Sequence, residues 1–333
     1  MNQESKTAID YFGIVKKAFI LPWKYRFLFW LGILASFAAG GGGGGSNFNY
    51  ASSSSDWQNL FKDDQNKSSQ ILNTLKNTPR VLGTSTDRLT EFISHNIYWI
   101  ALVVLILVLI AVVLLVFGTF ARAGVIRSIP RLEKKEKPTF SEALWDGKRF
   151  FWRIVGAGIL TFLFIIVLIA VLGGIAVPLF IVNIVLGFIW LIPSILILII
   201  AAIYVGLVVQ FWSQIFIVED QGVISTIRPA IKFVNSSFKE VILFWLVALV
   251  VSIIYTVAIF IVIFVVVLPL GLLAVGIGFA NLIAGIIIGI IGFLIVYLVM
   301  LAVSGYYTAG ITSYWTLAYL EIKKLKGVTQ AAK

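Results

Sequence analysis

The chain alternates between very long apolar runs and short charged segments. No charged residue occurs from Ile154 to Val218, 65 positions, or from Val241 to Leu320, 80 positions. A helix crosses the hydrocarbon core of a bilayer in about 20 residues, so each run holds two spans joined by an uncharged turn. A water-soluble core does not require such runs. Barrel strands would alternate apolar and polar residues, and these runs do not. The pattern predicts an all-α, polytopic integral membrane protein. Six transmembrane helices are expected near 24–40, 97–119, 153–173, 188–212, 241–268 and 284–311.

Three amphipathic segments of similar plan lead into the first, third and fifth spans. They are "TAIDYFGIVKKAFILPWKYRFLFWLGIL" (Thr7–Leu34), "TFSEALWDGKRFFWRIVGAGIL" (Thr139–Leu160) and "ISTIRPAIKFVNSSFKEVILFWLVAL" (Ile224–Leu249). Each predicts an interfacial helix ahead of its span, and together they suggest an internal repeat. Thr139 with Glu142 and Ser237 with Glu240 have capping-box spacing. Asn183–Gly187 and Asn281–Gly285 precede the fourth and sixth spans, and asparagine is a favoured N-cap. The organisation expected is one membrane domain, 1–333, made of three hairpins. Hairpin 1 is 7–126 with an outer loop 40–96, hairpin 2 is 139–218, hairpin 3 is 224–320, and 321–333 is a basic tail. Pro178, Pro193 and Pro269 are read as turn formers.

Charge orients this plan. The sequence has 26 Lys/Arg against 15 Asp/Glu, a net charge of +11. The segments 1–26, 122–153, 219–240 and 321–333 together carry 21 of the basic residues and 10 of the acidic ones. Positive-inside bias then puts both termini in the cytoplasm. The excess of basic residues is a topology signal, so no nucleic-acid partner is expected. There is no cysteine and one histidine, His95, which removes disulfides and cysteine metal sites. His95 and the loop acids Asp56, Asp63 and Asp64 lack metal-ligand spacing. No metal or cofactor is expected.

The six glycines Gly40–Gly45 lack the lysine and Ser/Thr that a phosphate loop needs. They are read as a flexible tether leaving an uncleaved first span. Polar groups within the spans are few: Asn183, Gln210, Asn281 and Ser304. Asn183 and Asn281 fit helix caps, while Gln210 and Ser304 fit hydrogen bonds between helices. No ionisable residue lies inside a span, which argues against ion-coupled transport. Gly285, Gly289 and Gly292 share a helix face suited to close packing. The richest surface is Arg127–Arg153, where Arg131, Lys134, Lys135, Lys137, Lys148 and Arg149 interleave with Trp145 and Trp152. Such a band suits anionic lipid headgroups with the aromatics at the acyl boundary.

The run "FGTFARAGVIRSIPRL…KPTFSEALWDGKRFFWRIVG", and "DQGVISTIRPAIKFVNSSFKEVI" after it, resembles a loose superfamily of bacterial six-span inner-membrane proteins. That superfamily includes the membrane domain of some glycerophosphodiester phosphodiesterases. The resemblance implies a bacterial cytoplasmic membrane. It implies no enzyme, because hydrolysis there belongs to a separate soluble barrel for which this chain has no room. The expectation is a non-catalytic, structural or lipid-associated scaffold of the envelope, with membrane lipids as partners. The alternative is a carrier or flippase for an uncharged or lipid-like solute.

Overall fold

The computed structural model describes residues 9–38, 97–280 and 282–331, and every regular element among them is helical. The elements are α1 (Tyr11–Lys24), α2 (Arg26–Ala38), α3 (Ile97–Glu133), α4 (Phe140–Val182), α5 (Ile184–Val218), α6 (Ile227–Ser236), α7 (Phe238–Val262), α8 (Leu268–Ala280) and α9 (Leu282–Ala331). A π-helical turn, Ile263–Val267, joins α7 to α8. Among the described residues, five helical stretches are long and apolar enough to cross a membrane, or six if the bent pair α1–α2 counts as one. The all-α polytopic class therefore holds. Gly40–Gly45, the loop 40–96, His95 and Asn281 lie outside the described residues.

Two compact units divide the chain, one of residues 1–46 with 114–333 and one of 47–113. Of the second, the first half of α3 is described. Within the first, burial is concentrated at the end of the helices that carries the charges. Residues 307–319 of α9 are buried without a break, because α9 packs against α1, α2, α5 and α7. Small residues let these helices meet. A Cβ on Gly32 of α2 would lie 2.1 Å from the Gly305 carbonyl oxygen and 2.7 Å from the Ala309 Cβ of α9. A Cβ on Gly147 of α4 would lie 1.9 Å from the Phe120 carbonyl oxygen of α3. The other ends of α4, α5, α7, α8 and α9 present isoleucine, leucine and valine outward, as lipid-facing helices do.

The entries to the spans differ from the sequence expectation in one place. α1 and α2 meet at Tyr25 with a bend of 99°, and α6 breaks from α7 at Ser237. The second entry has no separate interfacial helix, since α4 runs unbroken for 43 residues. Its start is a complete capping box: Thr139 Oγ1 accepts from the Glu142 amide, and Glu142 Oε2 accepts from the Thr139 amide. No proline follows before Pro178, so nothing stops the helix. The prolines are also corrected. Pro178 and Pro193 lie inside α4 and α5, and Pro269 follows the π-helical turn. A proline lacks the N–H of a helical ladder, and a π-turn is a common way to absorb that loss.

Two helix ends carry no sequence signal. α3 and α5 both close in a Schellman motif. The Glu136 amide donates to the Arg131 carbonyl at 3.0 Å, and the Gln221 amide to the Phe216 carbonyl at 3.2 Å. The left-handed residue is usually glycine, but here it is Lys135 (φ 65°) and Asp220 (φ 55°).

Candidate functional site

The charged end is tied together by ion pairs between helices. Asp220, in the turn after α5, takes Arg149 at 3.0 Å and Arg153 at 2.8 Å, both from α4. Glu219 takes Lys323 of α9 at 2.7 Å and accepts from the Tyr319 hydroxyl at 2.5 Å. Lys17 of α1 meets Glu133 of α3 at 2.7 Å. Arg127 donates to the Ile217 and Val218 carbonyls, satisfying the otherwise open end of α5. Burial alone would raise the Glu219 carboxyl, but hydrogen bonds from Lys323 and Tyr319, with the charge of Lys323, hold it below its ordinary range.

This network divides the basic band read from the sequence. Arg131 is engaged by acids, with Glu136 at 2.9 Å, Asp146 at 3.0 Å and Glu142 at 3.9 Å. Arg149 is held by Asp220. Lys134, Lys135, Lys137 and Lys148 stay exposed and form no ion pair among the described residues. Lys148 Nζ sits over the Trp145 ring, 4.5 Å from its centroid. Trp145 and Trp152 are 65% and 77% exposed, and Trp23 of α1 is 82% exposed. The structure therefore leaves exposed lysines and outward tryptophans at the same end of the helices. Such rings bury an apolar body beside lipid and keep a polar edge wet.

Of the polar residues singled out within the spans, Asn183 and Gln210 do not converge. Asn183 caps α5, its Oδ1 accepting from the Val185 amide at 2.8 Å. Gln210 is 5% exposed and lies in the packed charged half. The two stand 27 positions apart on α5, about 40 Å along the helix. Gly285, Gly289 and Gly292 face α8 of their own hairpin. A Cβ on Gly285 would lie 2.5 Å from the Gly278 Cα, one on Gly289 3.8 Å from the Ala274 Cβ, and one on Gly292 3.4 Å from the Leu270 Cβ.

Sequence reasoning passed over Arg122. It shares a helical face of α3 with Gly118, Val125 and Ile129, and a Cβ on Gly118 would lie 2.6 Å from the Leu34 carbonyl oxygen of α2. Arg122 is partly buried, and its guanidinium makes no hydrogen bond or ion pair among the described residues. The signal was its register: it falls on the stripe of apolar and small residues. Gln214 was missed too. Its Oε1 accepts from Thr316 at 3.0 Å, while its Nε2 and the hydroxyls of Thr308 and Ser313 are buried without a partner among the described residues.

No curated protein and no solved structure matches this chain. A family model does match, over residues 8–323, nearly the whole length. The chain thus belongs to DUF7544, a family of unknown function.

Proposed function

We propose that this protein is a non-catalytic, lipid-associated scaffold of the cytoplasmic membrane. Its charged end, with both termini, faces the cytoplasm, and it engages anionic headgroups there. One observation carries the reading: exposed Lys134, Lys135, Lys137 and Lys148 share an end of the helices with outward Trp23, Trp145 and Trp152. Each basic residue near an anionic surface contributes about 1 kcal/mol. The engaged cations, Arg131, Arg149 and Arg153, serve the fold instead. A carrier would gather polar groups along one path, and Asn183 and Gln210 sit far apart. The three entry segments, two with a bend or break and one continuous, fit copies of a single ancestral hairpin.

Spin-labelled lipids in proteoliposomes test this reading. Wild type is expected to hold motionally restricted phosphatidylglycerol in preference to phosphatidylcholine. Replacing Lys134, Lys135, Lys137 and Lys148 with glutamine should remove most of the preference. Equal restriction of both lipids by wild type, or an unchanged preference in the variant, refutes it.

A further inference from the structure

The short helix α6 carries a basic groove that none of the ion pairs uses. An open cavity of about 530 Å³ lies along it, lined by Arg228, Ile231, Lys232, Asn235 and Ser236. Four of these stand at i, i+3, i+4 and i+7, so they share one face. The opposite face, Ala230 and Val234, is fully buried and fixes the helix in place. The groove face is exposed. The side chains of Arg228 and Lys232 make no hydrogen bond or ion pair among the described residues. Asn235 Oδ1 is taken by the Tyr204 hydroxyl at 2.9 Å, which leaves its two N–H groups to the groove. Ser236 Oγ is already engaged with the Lys232 carbonyl and with Lys326 of α9. The side-chain groups left free in the groove are therefore donors, the Asn235 amide and the two cations Arg228 and Lys232.

α5 packs beside α6 and adds an apolar strip next to the groove. Tyr204 belongs to α5 and links that helix to Asn235. Ile200 and Ile197 lie four and seven positions before Tyr204, on the same face of α5, and are 60% and 46% exposed. Ile231 in the groove is 38% exposed. A ligand here meets cationic donors at one end and a strip of isoleucines at the other. A soluble anion would use only the first.

We infer that the α6 groove is a binding seat for one anionic phospholipid. Its phosphate lies among Arg228, Lys232 and the Asn235 amide, and an acyl chain runs along Ile200 and Ile197. The inference deepens the lipid-associated reading, but it rests on different residues. Arg228 supplies a planar fork that matches two phosphate oxygens, Lys232 a point charge. Two unpaired cations at a membrane surface favour an anionic over a zwitterionic headgroup by about 30-fold.

The absence of cysteine permits a local test in the full-length protein. A fluorophore on Ser225→Cys, an exposed position just ahead of α6, reports lipids next to the groove. Proteoliposomes of phosphatidylcholine with a minor share of phosphatidylglycerol carry a spin label on one headgroup or the other. Labelled phosphatidylglycerol is expected to quench far more strongly than labelled phosphatidylcholine at equal mole fraction. Arg228→Gln with Lys232→Gln should abolish the difference while thermal stability is kept, and Arg228→Lys should keep part of it. The glutamine variant of Lys134, Lys135, Lys137 and Lys148 should leave local quenching intact, which separates this seat from the wider band. Equal quenching by both lipids in wild type overturns the inference. So does loss of the difference on adding glycerol phosphate, since that outcome marks a site for soluble anions.

Discussion

Gly147→Ala should unpack the crossing of α3 and α4, whereas Gly156→Ala, nine residues further along the same helix, should stabilise the protein. The added Cβ at 147 would lie 1.9 Å from the Phe120 carbonyl oxygen, 2.7 Å from its carbon and 3.1 Å from the Gly124 nitrogen. All three are backbone atoms, so relief requires the helices to separate by more than an ångström. Overpacking of this kind costs about 3 kcal/mol at the upper end. Alanine recovers about 1 kcal/mol of helix propensity, leaving a net loss of about 2 kcal/mol. At 156 nothing lies within 4 Å of the new Cβ, so the propensity gain stands alone. The contact is mutual, since a Cβ on Gly124 would lie 2.4 Å from the Ala143 carbonyl oxygen. Gly124→Ala combined with Gly147→Ala should therefore cost less than the sum of the single changes. Thermal unfolding in detergent, followed by tryptophan fluorescence, reads these effects. Each kcal/mol moves the midpoint by about 2–4 °C in chains of 150–250 residues, so the two single variants should part by several degrees. If both midpoints rise together, the close crossing of α3 and α4 is wrong.

Further expectations concern the polar residues of the packed end. Arg122→Met should leave the unfolding midpoint unchanged or raise it, because the guanidinium has no partner among the described residues and the replacement is apolar and of similar length. Arg127→Met should lower it by the equivalent of about 2 kcal/mol, because two carbonyls lose a charged donor; a reversed order of these two variants contradicts the placement of both side chains. Lys135→Gly should stabilise by about 1 kcal/mol, the cost of holding a side chain in the left-handed region, and a drop in midpoint would count against the Schellman turn. The Glu219 carboxyl is lowered by Lys323 and Tyr319, so its contribution is present above the unfolded carboxylate range, near pH 4.5, and is lost as pH falls through the folded value. The midpoint of wild type should accordingly fall more steeply than that of Glu219→Gln on acidification below pH 5, and parallel curves would refute the pairing.

The all-α membrane class was legible because it depends on composition over long windows. Sixty-five and eighty uncharged positions leave the backbone no hydrogen-bond partners in lipid except its own helix. The cap at Thr139 and the turn at Asn183 were legible as well, since both are settled within three or four residues. Prolines misled because a helix in lipid can keep them when a π-turn or a neighbour absorbs the missing bond. The ends of α3 and α5 were hidden because Lys135 and Asp220 take the place where glycine would have signalled the turn.

Which cations stay exposed and which hold the fold was not legible. Arg131 and Lys134 look alike in sequence. They differ because Glu136, Asp146 and Glu142 surround the first and no ion pair among the described residues engages the second. The burial of α9 from 307 to 319 was likewise invisible, since an apolar helix in lipid and one inside a bundle have the same composition. The sequence by itself determined that the chain is helical, membrane-spanning and basic at one end, because hydropathy and charge act residue by residue. Only the tertiary structure decided which basic groups remain free to bind, because an ion pair needs two elements brought within a few ångströms, and no local pattern encodes that distance.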